Sequence, residues 1–403
     1  MAHSEIPTTQ KWKEIVATFL KLGLTAYGGP AIMGIMQTEL QERRQWVTKE
    51  RFMEGLTLVN MLPGAAATQL GIYLGYMRGG WWGGLLAGLC FVLPAFFIML
   101  ALTLFYAAFG ATPLLQGALY GLGPVVLGIF LVAIYRMGRT ALTNIPKITI
   151  AIVAALLLIY SPLDIVTILA VAGGTGVSLF HSKKLGILVI CTIFALISAA
   201  YFATDAPSIH LSNSISTTVT PQAPGLLNVG WFFFKVGTFS FGGGLTLIAF
   251  IQAQVVDQYH WLTHQEFIDG LALGQFTPGP ILMLSSYVGY KIAGIIGAAV
   301  GALAIFLPSF IIMLSVLPVL ERFRNLRWMK AAMQGIAPAV IGVLTVSILQ
   351  LAPHAVPDLT AGAIFCGTVI AMLAWRLATM KLLFLGALIG IIRNRWFSLP
   401  GLR

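Results

Sequence analysis

Four proline or glycine breaks interrupt apolar segments of this chain, and their chemistry favours an anion. A helix that begins after such a turn presents unpaired N–H groups and the positive end of its dipole, while glycine lets a ligand approach the backbone closely. Close helix packing explains any single glycine equally well, but packing alone does not need a broken helix at matched positions. The breaks are Gly28-Gly29-Pro30, Pro63-Gly64, Gly242-Gly243-Gly244 and Pro278-Gly279-Pro280.

Two lysines lie at matched positions before two of these breaks. Lys21 and Lys235 each stand seven residues ahead of the first glycine of a break, inside an apolar run. A cation within a membrane usually faces a cavity or a partner, so both lysines are candidates to attract an anion. The alternative is that each extends its ammonium group to the lipid headgroups.

Two acids are matched in the same way. Glu54 and Asp269 each stand nine residues before the proline of a break and are candidates to carry a coupling proton. The alternative, which the sequence favours, places them in early turns of helices capped by Thr48 and Thr263, where a carboxylate interacts well with the helix dipole.

Neutral donors near the breaks complete the candidate substrate site, either by bonding an anion or by bonding neighbouring helices. The histidines fall in loops or near segment ends and the three cysteines lie singly in apolar stretches, so we expect no metal site, disulfide framework or cofactor. No nucleophile set recurs at the breaks, so we do not expect an enzyme. The neutral donors are Asn60, Thr68, Gln69, Gln275, Thr277, Ser285 and Ser286.

The breaks are positioned by a sequence that occurs twice. KLGLTAYGGP at 21–30 returns as KVGTFSFGGG at 235–244. WVTKERFMEGLTLVNMLPG at 46–64 returns as WLTHQEFIDGLALGQFTPG at 261–279. An internal duplication in so apolar a chain indicates a membrane transporter, because an alternating-access site forms simply between two related halves.

Composition places the chain in a lipid bilayer. Of 403 residues, 58% are hydrophobic and 9% are charged, against about 25% charged in an average soluble domain. The formal net charge of +11 would suggest nucleic acid in a soluble protein. Here the basic residues occupy short loops between apolar runs, so membrane orientation explains them and we expect no nucleic-acid partner. The polar beginning of the chain predicts no cleaved signal.

Apolar runs that could span the hydrocarbon core, about 30 Å thick, occur in both halves. The broken segments lie outside these runs, and one run in the first half has no copy in the second. The runs lie near 83–108, 117–135, 148–160, 165–180, 185–203, 293–320, 331–351, 356–375 and 379–392.

The distribution of lysine and arginine indicates that corresponding loops face opposite sides. The loop at 39–51 contains four basic residues, whereas its second-half partner at 252–266 contains none. The asymmetry is reversed in the next pair of loops. The second-half loop at 321–330 contains four basic residues, whereas its first-half partner near 107–116 contains none. We take the basic loops to be cytoplasmic.

Charge also predicts how the broken segments enter the membrane. Arg78 belongs to the same side as the loop at 39–51, so the segment at 52–77 enters and leaves by one face and bends at Pro63-Gly64. To keep the basic loops on one side, the first broken segment of each half must also be re-entrant. Five crossings then separate the repeats, and an odd number inverts the second. The predicted fold is an all-α polytopic membrane protein with two inverted-topology repeats and re-entrant broken helices.

The predicted organisation has three parts. Residues 1–184 form the first transporter repeat, 185–225 form a linking helix and an external polar linker, and 226–403 form the second, inverted repeat. We expect a multi-pass protein of the cytoplasmic inner membrane with a cytoplasmic N-terminus. The basic C-terminus fits this scheme poorly, which leaves open whether the last segment crosses.

The chain resembles the chromate ion transporter family in its long, two-domain form. The resemblance covers nearly the whole chain and rests on the AYGGP and SFGGG elements, ELQERRQW, LPG followed by ATQLGIYLG, FVLP and DGLALGQFTPGP. It implies a bacterial-type inner-membrane protein that expels chromate, a tetrahedral dianion similar to sulfate. The chain departs from the family at Ala65, where many members carry proline after LPG. The second break also carries Gly244 where the first carries Pro30.

We therefore expect a secondary transporter that exports a small tetrahedral oxyanion, with chromate as the expected substrate. A sulfate or other oxyanion carrier and an anion channel stay open as alternatives. No Walker motif is present, so ATP is not expected to drive transport directly. The expected partners are chromate or a related oxyanion and the lipid bilayer, and a homo-oligomer is compatible with the sequence.

Overall fold

Helices form almost all of the chain that the structure describes. Within the described residues there is no β-strand, and four helices are long and apolar enough to cross a membrane. Three shorter apolar helices accompany them. The prediction of an all-α polytopic membrane protein is confirmed. This computed structural model describes residues 8–27, 30–110, 112–161, 163–182, 184, 225–240, 245–319 and 327–397.

Each half contributes seven helices within the described ranges. Those of the first half are α1 Thr8–Thr25, α2 Pro30–Met36, α3 Lys49–Met61, α4 Ala66–Phe109, α5 Pro113–Ala141, α6 Ile145–Tyr160 and α7 Ile165–Phe180. Those of the second half are α8 Leu226–Thr238, α9 Leu245–Ile251, α10 His264–Phe276, α11 Leu284–Val316, α12 Arg327–Ala355, α13 Leu359–Ala374 and α14 Thr379–Phe397. π-Helical turns follow α2 and α9, at Gln37–Arg43 and Gln252–Gln258.

The predicted apolar spans coincide with α4 to α7 in the first half and with α11 to α14 in the second. The predicted extra span at 185–203 and the polar linker at 204–225 lie outside the described residues.

Local sequence determines where the broken helices begin and end. Thr48 caps α3 by accepting a hydrogen bond from the N–H of Arg51 at 3.3 Å. Thr263 caps α10 by accepting one from the N–H of Glu266 at 3.2 Å. Both helices then stop at an extended residue before the proline of a break, since the residue before proline avoids the helical conformation.

Each of α4 and α11 is divided by a kink at a glycine of positive φ. Gly80 has a φ of 65° and Gly294 a φ of 63°, a left-handed conformation that glycine adopts without steric cost. In each helix the part before the kink forms a short arm, which covers residues 66–79 in α4 and 284–293 in α11. The long arms follow the kinks and continue to the helix ends.

One buried tyrosine in each short arm holds that arm against the preceding helix. The rings of Tyr73 and Tyr287 are fully buried, and they lie against Gly55 of α3 and Gly270 of α10 with no room for a side chain there. Each hydroxyl donates to a backbone carbonyl near the start of that helix, at 2.8 Å in the first half and 3.0 Å in the second. The helix and the short arm are therefore antiparallel, as a re-entrant hairpin requires.

One cluster shows that the first hairpin returns to its own side. Arg78, at the kink of α4, forms a salt bridge with Glu14 of α1 at 2.8 Å and stacks on the ring of Trp46 at 5.5 Å. Trp46 precedes the hairpin and Arg78 follows it, so the chain enters and leaves at one end of the molecule. We call this end the basic face, because Arg43 and Arg44 also lie there; the other end is the opposite face.

The two repeats are inverted, and contacts between the long arms show it. Tyr106, at the end of α4, donates a hydrogen bond to Asp269 at 2.9 Å and packs on Tyr287 in the short arm of α11. Conversely Gly88, near the kink of α4, lies against Phe310 near the end of α11. The long arms therefore run antiparallel, and the two kinks lie at opposite faces.

The repeats are also interlocked, because each packs its last two helices on the fifth helix of the other. Helices α13 and α14 pack on α5, and α6 and α7 pack on α12. The contacts are close: Gly121 of α5 lies on the backbone of Gly386 of α14, and Gly335 of α12 lies on the backbone of Ala172 of α7. Small residues allow such approach between membrane helices.

The last helix returns from the basic face to the opposite face. The N-cap residue of α13, Asp358, accepts a hydrogen bond from Tyr120 near the start of α5. Near the end of α13, Arg136 donates to the carbonyl of Met372. Helix α14 then runs back along α5 until Arg393 bonds Asp358 at 2.6 Å. The carboxylate of Asp358 balances Arg393, which accounts for a basic residue at that face.

We predict that this interlocking is sensitive to one methyl group. Gly121→Ala would place its Cβ on the carbonyl of Gly386, and such overpacking costs about 1–3 kcal/mol. The unfolding temperature of the purified protein in detergent is expected to fall by several degrees. Gly367→Ala is the matched control, because nothing lies within 4 Å of its Cβ position. Equal stability of the two variants would show that α5 and α14 do not pack as described.

We also predict that equivalent loops are labelled from opposite sides of the membrane. Single cysteines replace Gln41 or His260 in a background without Cys90, Cys191 and Cys366. A membrane-impermeant thiol reagent should reach only one of the two in intact cells and both after permeabilisation. Labelling of both positions in intact cells, or of neither, would contradict the inversion.

Candidate functional site

The breaks of the two halves meet where the long arms cross. The N–H of Gly64, between α3 and α4, donates to the carbonyl of Ser240 at 2.7 Å. The N–H of Gly279, between α10 and α11, donates to the carbonyl of Ala26 at 2.7 Å. Ala26 and Ser240 are equivalent in the two repeats, as are Gly64 and Gly279, so the two bonds are related by the pseudo-twofold symmetry. Each proline-glycine turn is bonded to the other half of the chain.

Both turns require glycine. Gly64 has a φ of 125° and Gly279 a φ of 91°, which is strained for other residues. A Cβ on Gly64 would stand 2.7 Å from the hydroxyl of Ser309, and one on Gly279 would stand 2.9 Å from the methyl group of Ala95. The space as well as the conformation therefore excludes a side chain.

Ser309 compensates for the departure at Ala65. The N–H of Ala65 donates to the hydroxyl oxygen of Ser309 at 2.8 Å in a buried position. The equivalent residue of the second repeat, Pro280, has no N–H, and the position equivalent to Ser309 is Ala95. Alanine in place of proline adds a buried donor, and the serine supplies its acceptor.

The start of α4 is buried and has no side-chain cap. Its N-cap residue, Ala65, offers no capping group, so the first N–H groups after it have no partner within the helix. Gln69 bonds the carbonyl of Pro63 through Nε2 at 2.7 Å. The hydroxyl of Thr68 and the Oε1 of Gln69 are buried without a hydrogen-bond partner among the described residues. This helix start therefore holds an unused hydroxyl donor at Thr68 and an unused amide acceptor at Gln69.

The second repeat is organised differently at the equivalent place. A 3-10 turn precedes α11 and occupies the N–H of its first residue, and the hydroxyl of Thr277 donates to the carbonyl of Leu273 at 3.0 Å. The hydroxyls of Ser285, Ser286 and Ser240 are buried without partners among the described residues. Pro278 is buried beside its glycine, and Gln275 is half-buried at the end of α10.

The two matched lysines have different surroundings. Lys21 is exposed on α1, and its charge adds to the hydrogen bond from Arg44 that lowers the pKa of Glu39. Lys235 is half-buried on α8. Neither lysine lines either of the two cavities described below. The glycines that follow them, Gly28, Gly29, Gly242 and Gly243, lie outside the described residues.

The two matched acids also differ. Glu54 forms a salt bridge with Arg51 at 3.0 Å. Asp269 is 6% exposed and accepts hydrogen bonds from Tyr106 at 2.9 Å and from the amide of Gln265 at 3.0 Å. One repeat therefore neutralises its acid with a cation, whereas the other surrounds it with neutral donors.

A cavity of about 240 Å³ leads from the basic face to the Pro63-Gly64 turn. It lies between that turn, the end of α5 and the start of α12, and we call it the basic-face cavity. Asn60, Gly64 and Thr140 supply its polar wall, and Ala66 at the start of α4 also lines it. None of its described lining residues is charged.

A second cavity, of about 410 Å³, lies at the opposite face between α10, the start of α5 and the end of α12. We call it the opposite-face cavity. The pseudo-symmetry relates the two cavities, since Thr140 in one is equivalent to His354 in the other. Its polar wall is formed by Tyr106, Gln116, Tyr120, Gln265, Asp269 and His354.

Several residues of these sites were not predicted from the sequence. Ser309 could have been found, because it is the serine of FLPSF where the first repeat has the alanine of VLPAF. Tyr106 and His354 carry no such signal, since each comes from a helix end that only the tertiary fold brings to Asp269.

Comparison with known proteins agrees with this architecture. A chromate transport protein of Cupriavidus metallidurans is 32% identical over 95% of this chain and 94% of its own length. A chromate transport protein of Pseudomonas aeruginosa is 31% identical over 92% of this chain and 89% of its own. An uncharacterized transporter of Methanocaldococcus jannaschii is 29% identical over 84% of each chain. No solved structure matches the chain. The chromate transporter family matches residues 13–177 and 227–391, one segment in each half, and the chain therefore belongs to that family.

Proposed function

We propose that this chain is a secondary transporter that exports chromate across the cytoplasmic membrane. The observation that carries the proposal is the uncapped, buried start of α4 at the inner end of the basic-face cavity. Irregular backbone at membrane depth persists where it lines a cavity or is buried in protein. Here it does both, because Gly64 and Ala66 line the cavity and Ala65, Ala66 and Thr68 are buried in protein.

The chemistry of this helix start suits a tetrahedral dianion. The N-terminus of a helix carries roughly half a positive charge, and its free N–H groups bind oxyanions without a charged side chain. Thr68 adds a hydroxyl and Asn60 an amide. An unused buried donor costs about 1–3 kcal/mol, and an anion that accepts from the Thr68 hydroxyl removes that cost.

The names of the relatives support chromate as the substrate within this class. The proteins of Cupriavidus metallidurans and Pseudomonas aeruginosa are named chromate transport proteins, and they cover nearly the whole chain. Chromate offers four oxygen acceptors at tetrahedral corners, which the convergent donors of the α4 start can bond.

Membrane orientation supports export. Basic loops face the cytoplasm, which puts the basic face, the basic-face cavity and the N-terminus on the cytoplasmic side of the inner membrane. Moving one charge through 100 mV is worth about 2.3 kcal/mol, so a potential negative inside favours the exit of a dianion by about twice that amount. The cavity would load the anion on the side from which the potential expels it.

Inverted repeats supply a route for alternating access. Residues 1–184 and 226–403 act as the two transporter repeats, joined by 185–225. An exchange of conformation between them would close the basic-face cavity and extend the opposite-face cavity to the breaks. The reciprocal bonds of Gly64 and Gly279 lie between the two cavities and would form part of the moving gate.

The matched lysines and the other break residues of both halves complete the proposed substrate path. We assign the matched lysines to anion attraction and the remaining break residues to the path that the anion follows. These residues are Lys21, Lys235, Gly28, Gly29, Pro63, Gln69, Gly242, Gly243, Gln275, Thr277, Pro278 and Ser285.

Uptake into everted membrane vesicles tests the function directly. Vesicles that contain the protein are expected to accumulate labelled chromate, with saturation and with acceleration by chromate loaded inside. Vesicles without the protein are the control. Faster accumulation of labelled sulfate would make the protein a sulfate carrier, a flux that does not saturate would make it a channel, and no flux of either anion would refute oxyanion transport.

The site itself is tested by removing one hydroxyl. Thr68→Val keeps the side-chain shape but loses a bond to a charged ligand, worth about 1.5–3 kcal/mol, so the chromate KM is expected to rise about tenfold or more. Thr368→Val is the matched control, because the buried Thr368 hydroxyl bonds its own helix at the carbonyl of Ile364. An unchanged KM in Thr68→Val would remove the α4 start from the site.

A further inference from the structure

The opposite-face cavity contains a carboxylate that the proposed anion site does not use. We propose that Asp269 binds a proton, which reaches it from the opposite face through His354, and that this proton is coupled to oxyanion transport. The coupling rests on the proposed function, whereas the proton site itself does not.

The surroundings of Asp269 favour proton binding. Its side chain is buried, and its two oxygens accept from the hydroxyl of Tyr106 and the amide of Gln265. Lys291 lies nearby but bonds Glu266 at 2.6 Å instead. A buried carboxylate that neutral donors hold keeps a large desolvation cost, which a proton removes.

The cavity gives that carboxylate access to water. Its volume of about 410 Å³ holds several water molecules, each of which occupies about 30 Å³ of liquid. Gln116 and Tyr120 line the same space and can bond such water. Tyr120 itself donates to Asp358, which forms a salt bridge with Arg393. Because Asp358 balances the charge of Arg393, this arginine does not compete with a proton for Asp269.

His354 provides the route by which a proton enters the opposite-face cavity. It lines the cavity at the last turn of α12, and its ring stacks on that of His264 at 4.0 Å and 4°. His264 lies 3.3 Å from the carboxylate of Asp257, and His260 bonds the carbonyl of Val256. An imidazole can accept a proton at one ring nitrogen and release one from the other, so His354 can pass a proton into the cavity that it lines.

The first repeat lacks this arrangement. At the positions equivalent to Asp269 and His354 it has Glu54, which pairs with Arg51, and Thr140. Tyr106 is equivalent to Leu320 in the sequence. Within the described residues, the buried carboxylate with neutral donors therefore lies toward the opposite face, and a proton would enter from that side.

The proton transfer is a simple exchange. The N–H bond of the protonated His354 ring breaks, its electron pair stays on nitrogen, and the proton passes through water to an oxygen of Asp269. The neutral carboxyl then accepts weaker hydrogen bonds from Tyr106 and Gln265. The bond from Tyr106 joins α4 to α10, and α10 leads into the Gly279 turn. Proton binding therefore weakens a contact that positions the hydrogen bond from Gly279 to Ala26.

Two measurements on the purified full chain test the proposal. Infrared difference spectra between acid and neutral buffer, without oxyanion, should show a carboxylic C=O band that is lost in Asp269→Asn and kept in Glu54→Gln. In reconstituted vesicles, chromate flux should move protons in wild type and in Glu54→Gln, and Asp269→Asn should lose this proton movement. A band or a proton movement that survives in Asp269→Asn would overturn the proposal.

His354→Gln separates the route from the binding site. The variant should keep the Asp269 band at equilibrium but slow its appearance after a pH jump, and an unchanged rate would remove His354 from the path. The same measurements distinguish a failure of the proposed function from a failure of the proton site. An Asp269 band in a protein that carries no oxyanion would refute the proposed function alone, and oxyanion flux without that band would refute the proton site alone.

Discussion

Two reciprocal backbone hydrogen bonds, from Gly64 to Ser240 and from Gly279 to Ala26, constrain the rest of the structure. A broken helix inside a membrane exposes N–H and C=O groups that lipid cannot satisfy. Each repeat solves this problem with the backbone of the other. The solution requires two inverted copies, a positive φ at each turn and space for no side chain, and the chain supplies glycine at both turns.

The outer helices hold this centre in place. Helices α13 and α14 pack on α5, and α6 and α7 pack on α12, so the last two helices of each half are packed on the other half. Close contacts between glycines, such as Gly121 with Gly386, replace the hydrophobic effect that drives packing in water but is absent between helices in lipid. The packed outer helices therefore surround and support a centre of irregular backbone.

Pseudo-symmetry organises the frame, and the departures from it carry the chemistry. Ala65 adds an N–H that Pro280 lacks, and Ser309 accepts it. Asp269 is held by neutral donors where Glu54 has an arginine. The two cavities therefore differ in character: the described lining of the basic-face cavity is neutral and reaches a helix start, while that of the opposite-face cavity includes a carboxylate and a histidine.

Much of the fold was predictable because it depends on local patterns and on charge. The repeat, the apolar spans, the hairpin bend at Pro63-Gly64 and the inversion follow from spacing and from the placement of arginine and lysine. The site was less predictable, because side-chain partners depend on how helix ends meet. Asp269 was expected as one of a matched pair, yet only the fold shows that Tyr106 and His354 surround it while Glu54 pairs with Arg51.

The most direct test of the account is to locate chromate in the protein. Chromium scatters X-rays anomalously, so diffraction from crystals grown with chromate identifies the ion without ambiguity. The account predicts one chromate ion at the start of α4, with its oxygens within hydrogen-bond distance of the backbone N–H groups after Gly64 and of the Thr68 hydroxyl. A chromium site elsewhere in the molecule, with the α4 start left empty, would contradict it.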